Sequence, residues 1–176
     1  MLNEKEEVEI YVFQGNRRLA SLDQPLIATG HVGLSLDGKN IYGFNPIIHK
    51  EMKLTEIYRK IKMRESLPGQ VTDDTELFEK VAYGFYNQPF RKELELYKFV
   101  VPIEQPQTYL NILEEIKNRG SGSLYQLPKM DVPFPAKTYN CATFWGKCGL
   151  NLPHKSGFLE DYIPAMLQKG AQKVKK

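Results

Sequence analysis

Short runs of alternating apolar and polar residues open the chain, and stripes at helical spacing follow them. Val8-Glu-Ile-Tyr-Val-Phe13 is rich in β-branched and aromatic residues and predicts a first strand. Residues 16–28 read as loop. From 31 to 36, Val32, Leu34 and Leu36 fall on one face and His31, Gly33 and Ser35 on the other, which is the period of a strand. Asp37-Gly38 is a hairpin signal, so 40–44 predicts the partner strand, ended by Pro46. Residues 50–66 are ambiguous, a short helix within a long basic connection. Asp73 or Asp74 can cap a helix whose Leu77, Phe78, Val81, Ala82 and Phe85 form one stripe. Residues 93–101 give the clearest strand. Pro106 opens a further helix with Tyr109, Leu110, Leu113 and Ile116 as its inner face and Gly120 as its stop. Leu124 to Leu127 predicts a short strand. Pro128, Pro133 and Pro135 then hold an extended segment that leads to a helix beginning near Cys141. A last helix gathers Phe158, Leu159, Tyr162, Ile163, Met166 and Leu167, kinked or split by Pro164.

Strands and helices are interspersed, and the strand connections are mostly antiparallel. The expected class is α+β, with helices packed on an antiparallel sheet. A length of 176 residues suits one domain with a real core, and no linker or repeat divides it. The expectation is a single domain over 1–176, with 1–6 and 170–176 flexible.

The net charge of +3 is too small to argue for nucleic acid as a partner. Basic residues do gather at Lys53, Arg59, Lys60, Lys62 and Arg64, but Glu51, Glu56 and Glu65 interrupt them, which reads as a solvated surface. The acidic N-terminal stretch lacks a signal-peptide core, and no apolar run is long enough to span a membrane. Cytoplasmic residence, or export without a cleavable leader, is expected. Two cysteines make no disulfide framework. On one helix Cys141 and Cys148 would be separated by about 10 Å of rise, beyond disulfide reach. The spacing of the three histidines and two cysteines offers no metal site, and no cofactor is expected.

The chemistry concentrates in Lys137-Thr-Tyr-Asn-Cys-Ala-Thr-Phe-Trp-Gly. Thr138 or Asn140 can cap the predicted helix, which sets Cys141 in its first turn, where the partial positive charge of a helix N-terminus favours a thiolate. Cys141, Phe144, Trp145 and Cys148 also share one apolar face, so Cys141 reads equally as a core residue. His31, at the head of its strand, shares a face with the small Gly33 and Ser35, which leave room for another element.

Gly30-His-Val-Gly-Leu-Ser-Leu-Asp-Gly-Lys-Asn-Ile-Tyr-Gly-Phe-Asn-Pro46 and Tyr139-Asn-Cys-Ala-Thr-Phe-Trp together resemble the circularly permuted branch of the NlpC-type papain-like hydrolases. That branch includes lecithin:retinol acyltransferase-like proteins and bacterial amidases. There a histidine opens a strand and hairpin, and the cysteine follows later at the head of a helix on the same sheet. The matching stretches cover residues 29–46 and 138–149. The resemblance implies a papain-like fold, with Cys141 as the nucleophile, His31 as its general base and the Cys141 amide as an oxyanion donor.

A second histidine on the return strand, found in retinol-acyltransferase relatives, falls here at Gly43, which can orient nothing. Hairpin arithmetic leaves two alternatives. A two-residue loop at Asp37-Gly38 turns Tyr42 and Phe44 to the His31 face; a three-residue loop turns Asn45 there. Asn45 is the candidate orienting residue, and equally a polar turn residue before Pro46. Three functions remain open: a thiol hydrolase acting on a peptide, a protein side-chain amide or an acyl substrate; an acyltransferase; or a papain-like binding module without turnover. The aromatic stretch Tyr83, Phe85, Tyr86 and Phe90 would suit an acyl tunnel, or an ordinary helix face and its exit loop. His49 and His154 read as loop histidines.

Overall fold

A computed structural model of the chain describes residues 7–14, 30–47, 53–83, 94–130, 132–153 and 157–174. Within them the class is mixed α+β, built on an eight-stranded sheet. The strands are β1 (Glu7–Gln14), β2 (Gly30–Ser35), β3 (Tyr42–Pro46), β4 (Leu67–Asp73), β5 (Leu96–Pro102), β6 (Leu124–Tyr125), β7 (Thr138–Tyr139) and β8 (Gln172–Val174), in the order β7-β6-β4-β3-β2-β1-β5-β8. Every pairing is antiparallel except β6 with β7. The helices are α1 (Leu54–Lys62), α2 (Thr75–Ala82), α3 (Pro106–Lys117) and α4 (Leu159–Gln168), with a 3-10 helix at Phe144–Cys148.

Alternation along β1 sorts the core into two layers. Val8, Ile10 and Val12 face the larger cluster with Val32, Leu34, Phe44, Phe144, Trp145, Tyr162 and Met166, while Phe13 faces the smaller one with Ile41, Leu77, Phe78 and Val81. His31, Gly33 and Ser35 fall on the second side, under α2. Leu34 pairs with Tyr42, the register of the three-residue hairpin alternative, and carried down the ladder it sets Asn45 opposite His31. The connection itself runs from Leu36 to Ile41. Asp37 ties it by accepting the Lys39 and Asn40 amides at 2.8 Å each.

β4 has no counterpart in the sequence expectations, which assign nothing to residues 67–72. Leu67, Gly69 and Val71 nonetheless alternate inward. The Phe44 ring covers Gly69 so closely that an added Cβ would collide with it. α3 differs in phase from its predicted inner face. Thr108 and Ile112 are buried and Ile116 packs on the core, whereas Leu110 and Leu113 are exposed. The i, i+4 line wins because Thr108 seats against Gly149, at the end of the 3-10 helix. Residues 172–174, expected in a flexible tail, instead pair with β5 as an edge strand. No helix among the described residues is long and apolar enough to cross a membrane.

Candidate active site

Asn140 builds the turn that carries Cys141. Its Oδ1 accepts the Ala142 and Thr143 amides at 3.0 Å each, and its Nδ2 donates to the Gly157 carbonyl at 2.7 Å. The Thr143 hydroxyl closes the ring, accepting the Asn140 amide at 3.0 Å and donating to Asn140 Oδ1 at 3.1 Å. Asn140 therefore caps the segment, as Asx side chains do. Thr138 turns away to the Ala136 carbonyl. The expected α-helix is absent. Cys141 lies in a turn, the 3-10 helix begins at Phe144, and Gly149 stops it at φ 104°. So short a helix lends little dipole, and the thiolate argument built on an α-helical N-terminus does not carry over. The four residues of the predicted apolar face, Cys141, Phe144, Trp145 and Cys148, are all buried, and both thiols are free.

His31 is fully buried at the head of β2, and its Nε2 lies 2.7 Å from Asp74 Oδ2. Phe78 stacks on the imidazole, ring centroids 5.6 Å apart. Asp74 and Phe78 reach it from the head and second turn of α2. Asp73, not Asp74, satisfies the helix start by accepting the Thr75 amide at 3.0 Å. The Asp74 carboxylate is thus free to point inward, where Thr72 Oγ1 donates to its Oδ1 at 2.6 Å and Asn45 Nδ2 to its Oδ2 at 3.0 Å.

Cys141 acts on the same imidazole from outside this network. The cysteine side chain acts on the ring through local hydrogen-bonding and charge interactions, while Nδ1 itself has no geometric hydrogen-bond partner. Burial alone would push the His31 pKa down. The Asp74 and Cys141 hydrogen bonds and charges outweigh it and hold the imidazole well above its ordinary range. The counterpart holds for Asp74: burial pushes its carboxyl up, but His31, Thr72 and Asn45 together keep it below the usual carboxylate range. Burial first, and the electrostatic influence of Cys141 second, raise the phenols of Tyr125 and Tyr162, whose side chains belong to the same core cluster as the cysteine.

Of the three sequence candidates, Cys141 acts electrostatically on His31. Asn45 sits one step behind, bonded to Thr72 at 2.5 Å and to Asp74, with no hydrogen bond to the imidazole. The residue absent from the sequence candidates is Asp74, which the sequence offers only as a helix cap. Its signal was the doubled acid Asp73-Asp74, since a helix needs one such cap.

No protein-family model, curated protein or solved structure matches this chain.

Cys148 has a different environment: burial and the charge of Glu115 push its thiol up to about 12, against the opposing Lys147. A cleft of about 650 Å³ runs between residues 134–139 and the 3-10 helix with its exit, 149–152. Tyr139 and Thr143, which flank the Cys141 turn, line it; Cys141 and His31 do not. Among the described residues no group of three His, Cys, Asp or Glu could hold a metal. His49, His154, Phe85, Tyr86 and Phe90 lie outside the described residues.

Proposed function

We propose that this chain is a papain-like thiol hydrolase that cleaves an amide or peptide bond through a thioester on Cys141. One observation carries the reading: a fully buried imidazole 2.7 Å from the Asp74 carboxylate, with the Cys141 side chain acting electrostatically on the same ring. A thiol, an imidazole and a carboxylate in that order make an activated nucleophile, its base, and the group that orients the base.

His31 takes the Cys141 proton at Nδ1, while Asp74 fixes the ring through Nε2. The thiolate attacks the substrate carbonyl carbon, and the Cys141 backbone amide donates to the developing oxyanion. The imidazolium then returns its proton to the leaving nitrogen, and the C–N bond breaks to leave a thioester. His31 next deprotonates a water, which attacks the thioester and releases the acid and the free thiol. The Asp74 carboxylate stabilises the imidazolium in both halves. Because the imidazole has an orienting partner, the missing third residue no longer argues for a module without turnover.

The test is intact-mass detection of an acyl-enzyme across a panel of peptide amides, side-chain amides and acyl esters. Wild-type protein is expected to gain the acyl mass on Cys141 with at least one class, and Cys141→Ala and His31→Ala to gain none. Turnover that survives in Cys141→Ala sinks the reading.

A further inference from the structure

The basic cluster that the sequence marks in residues 53–64 has no role in this chemistry, and the fold gives it apolar company. α1 ends in Arg59, Lys60 and Lys62, and a tight turn follows in which Arg64 takes φ 59°. Arg64 Nε donates to the Pro128 carbonyl at 2.8 Å, which fastens this turn to a second one, where Lys129 bridges Val132. The two turns present Met63, Met130 and Val132 at 63%, 79% and 55% exposure. Lys62 and Arg64 flank Met63 in sequence, Lys129 precedes Met130, and all three cations are exposed.

Isolated exposed apolar side chains are ordinary, but three on two clasped turns with a cationic surround are not scattered. We infer that this face, formed by the end of α1, the 63–65 turn and the Lys129–Val132 turn, docks on the surface of an anionic lipid bilayer. Five cations (Arg59, Lys60, Lys62, Arg64 and Lys129) stand against Glu56, Glu65 and Asp131, the last outside the described residues. Such a surplus complements an anionic leaflet. The apolar groups are flexible thioethers and a branched aliphatic at the tips of turns, suited to entering the headgroup–acyl boundary.

Strand direction gives the docking a geometry. The face precedes β4 and follows β6, at the end of the sheet where β2 begins with His31 and β7 hands over to Cys141. A bilayer on this face would therefore lie at the Cys141 end of the molecule.

The experiment is co-sedimentation of the full chain with vesicles of phosphatidylcholine alone, or of phosphatidylcholine mixed with phosphatidylserine. Binding is expected only to the mixed vesicles, weakening as salt rises. The double variant Lys62→Glu, Lys129→Glu should bind about tenfold more weakly or worse. Met130→Asp should weaken binding at every salt concentration. These side chains are exposed, and unchanged melting will show that both variants fold. Absence of binding to mixed vesicles, or wild-type binding by both variants, overturns the inference. So does displacement from vesicles by RNA that binds with the same sensitivity to these variants, which would mark a nucleic-acid face. Sedimentation reads partition and not turnover, so failure here leaves the hydrolase reading intact, and loss of that reading leaves the surface.

Discussion

The Asp74 carboxylate and the His31 imidazole meet at 2.7 Å in space that a side chain at position 43 would fill. A Cβ built on Gly43 would collide with both groups. By the resemblance, retinol-acyltransferase relatives would carry a second histidine at this point of the return strand. Here the strand withdraws its side chain, and the junction of β4 and α2 delivers a carboxylate in its place. Thr72 and Asn45 hold that carboxylate, so the hydrogen bonding continues past the imidazole into β3 and β4.

Removing the carboxylate tests this substitution of parts. Asp74→Asn should lower turnover by about 10²–10⁴-fold, as loss of the residue behind a catalytic imidazole does elsewhere. Gly43→Ala should destabilise the fold by about 1–3 kcal/mol, the range for forcing atoms into a packed site, and lower turnover with it. Chemical denaturation and the acyl-enzyme assay read the two effects. Wild-type turnover in Asp74→Asn would remove Asp74 from the mechanism.

The opposed shifts of His31 and Asp74 predict how stability follows pH. His31 is raised in the native state, so its contribution is complete below the ordinary histidine value, about 6.5, and is lost as pH climbs toward the native value. Asp74 is lowered, so its contribution is complete above the ordinary carboxylate value, about 3.9, and is lost as pH falls through the native value. The stability advantage of wild type over His31→Gln should therefore shrink as pH rises above the histidine range. Its advantage over Asp74→Asn should shrink on acidification. Melting curves of the three proteins across pH measure both; flat differences would contradict the pairing.

The two cysteines should part company under alkylation. Cys148 is buried, with its thiol pushed up to about 12, and its carbonyl accepts from Asn111 Nδ2 at 3.2 Å as part of the packing of α3. Iodoacetamide near neutral pH should modify Cys141 first, and Cys148→Ala should leave turnover unchanged. Peptide mapping of the first alkylated site decides it.

Asn140→Ala should be among the most damaging single changes. It strips acceptors from the Ala142 and Thr143 amides and a donor from the Gly157 carbonyl, and each group left buried and unpaired costs about 1–3 kcal/mol. Loss of several kcal/mol in denaturant unfolding is expected, with acyl-enzyme formation abolished. Asn140→Asp, which keeps the acceptor, should recover part of the stability.

Elements with clean periodicity were legible in the sequence. The 8–13 and 31–36 strands alternate because one side of each meets the large core, and both formed where expected. The order His31 then Cys141 could also be read, since each sits on a local signal. The register of the hairpin could not, because Asp37-Gly38 permits two loop lengths and only tertiary pairing with β4 selects one. β4 itself was hidden: Pro68-Gly69 looks like a turn until Phe44 lies across the glycine. Asp74 escaped for a related reason. A caps-first reading assigns an acid before a helix to the helix, and only the fold reveals that Asp73 had already taken that task.

α2 has a consequence for how the protein would lose its chemistry on warming. It brings both Asp74 and Phe78 to the imidazole, yet it is only eight residues long. A helix of that length holds its shape through docking and not through its own propensity. Its undocking would strip the carboxylate and the stacked ring from His31 in one event, while the strand ladder of β1, β2 and β5 stayed paired. Catalytic competence would then fail as a sub-global opening, ahead of the main melting transition. Amide exchange along 75–82 should run in step with the loss of acyl-enzyme formation, while the β1 amides remain protected.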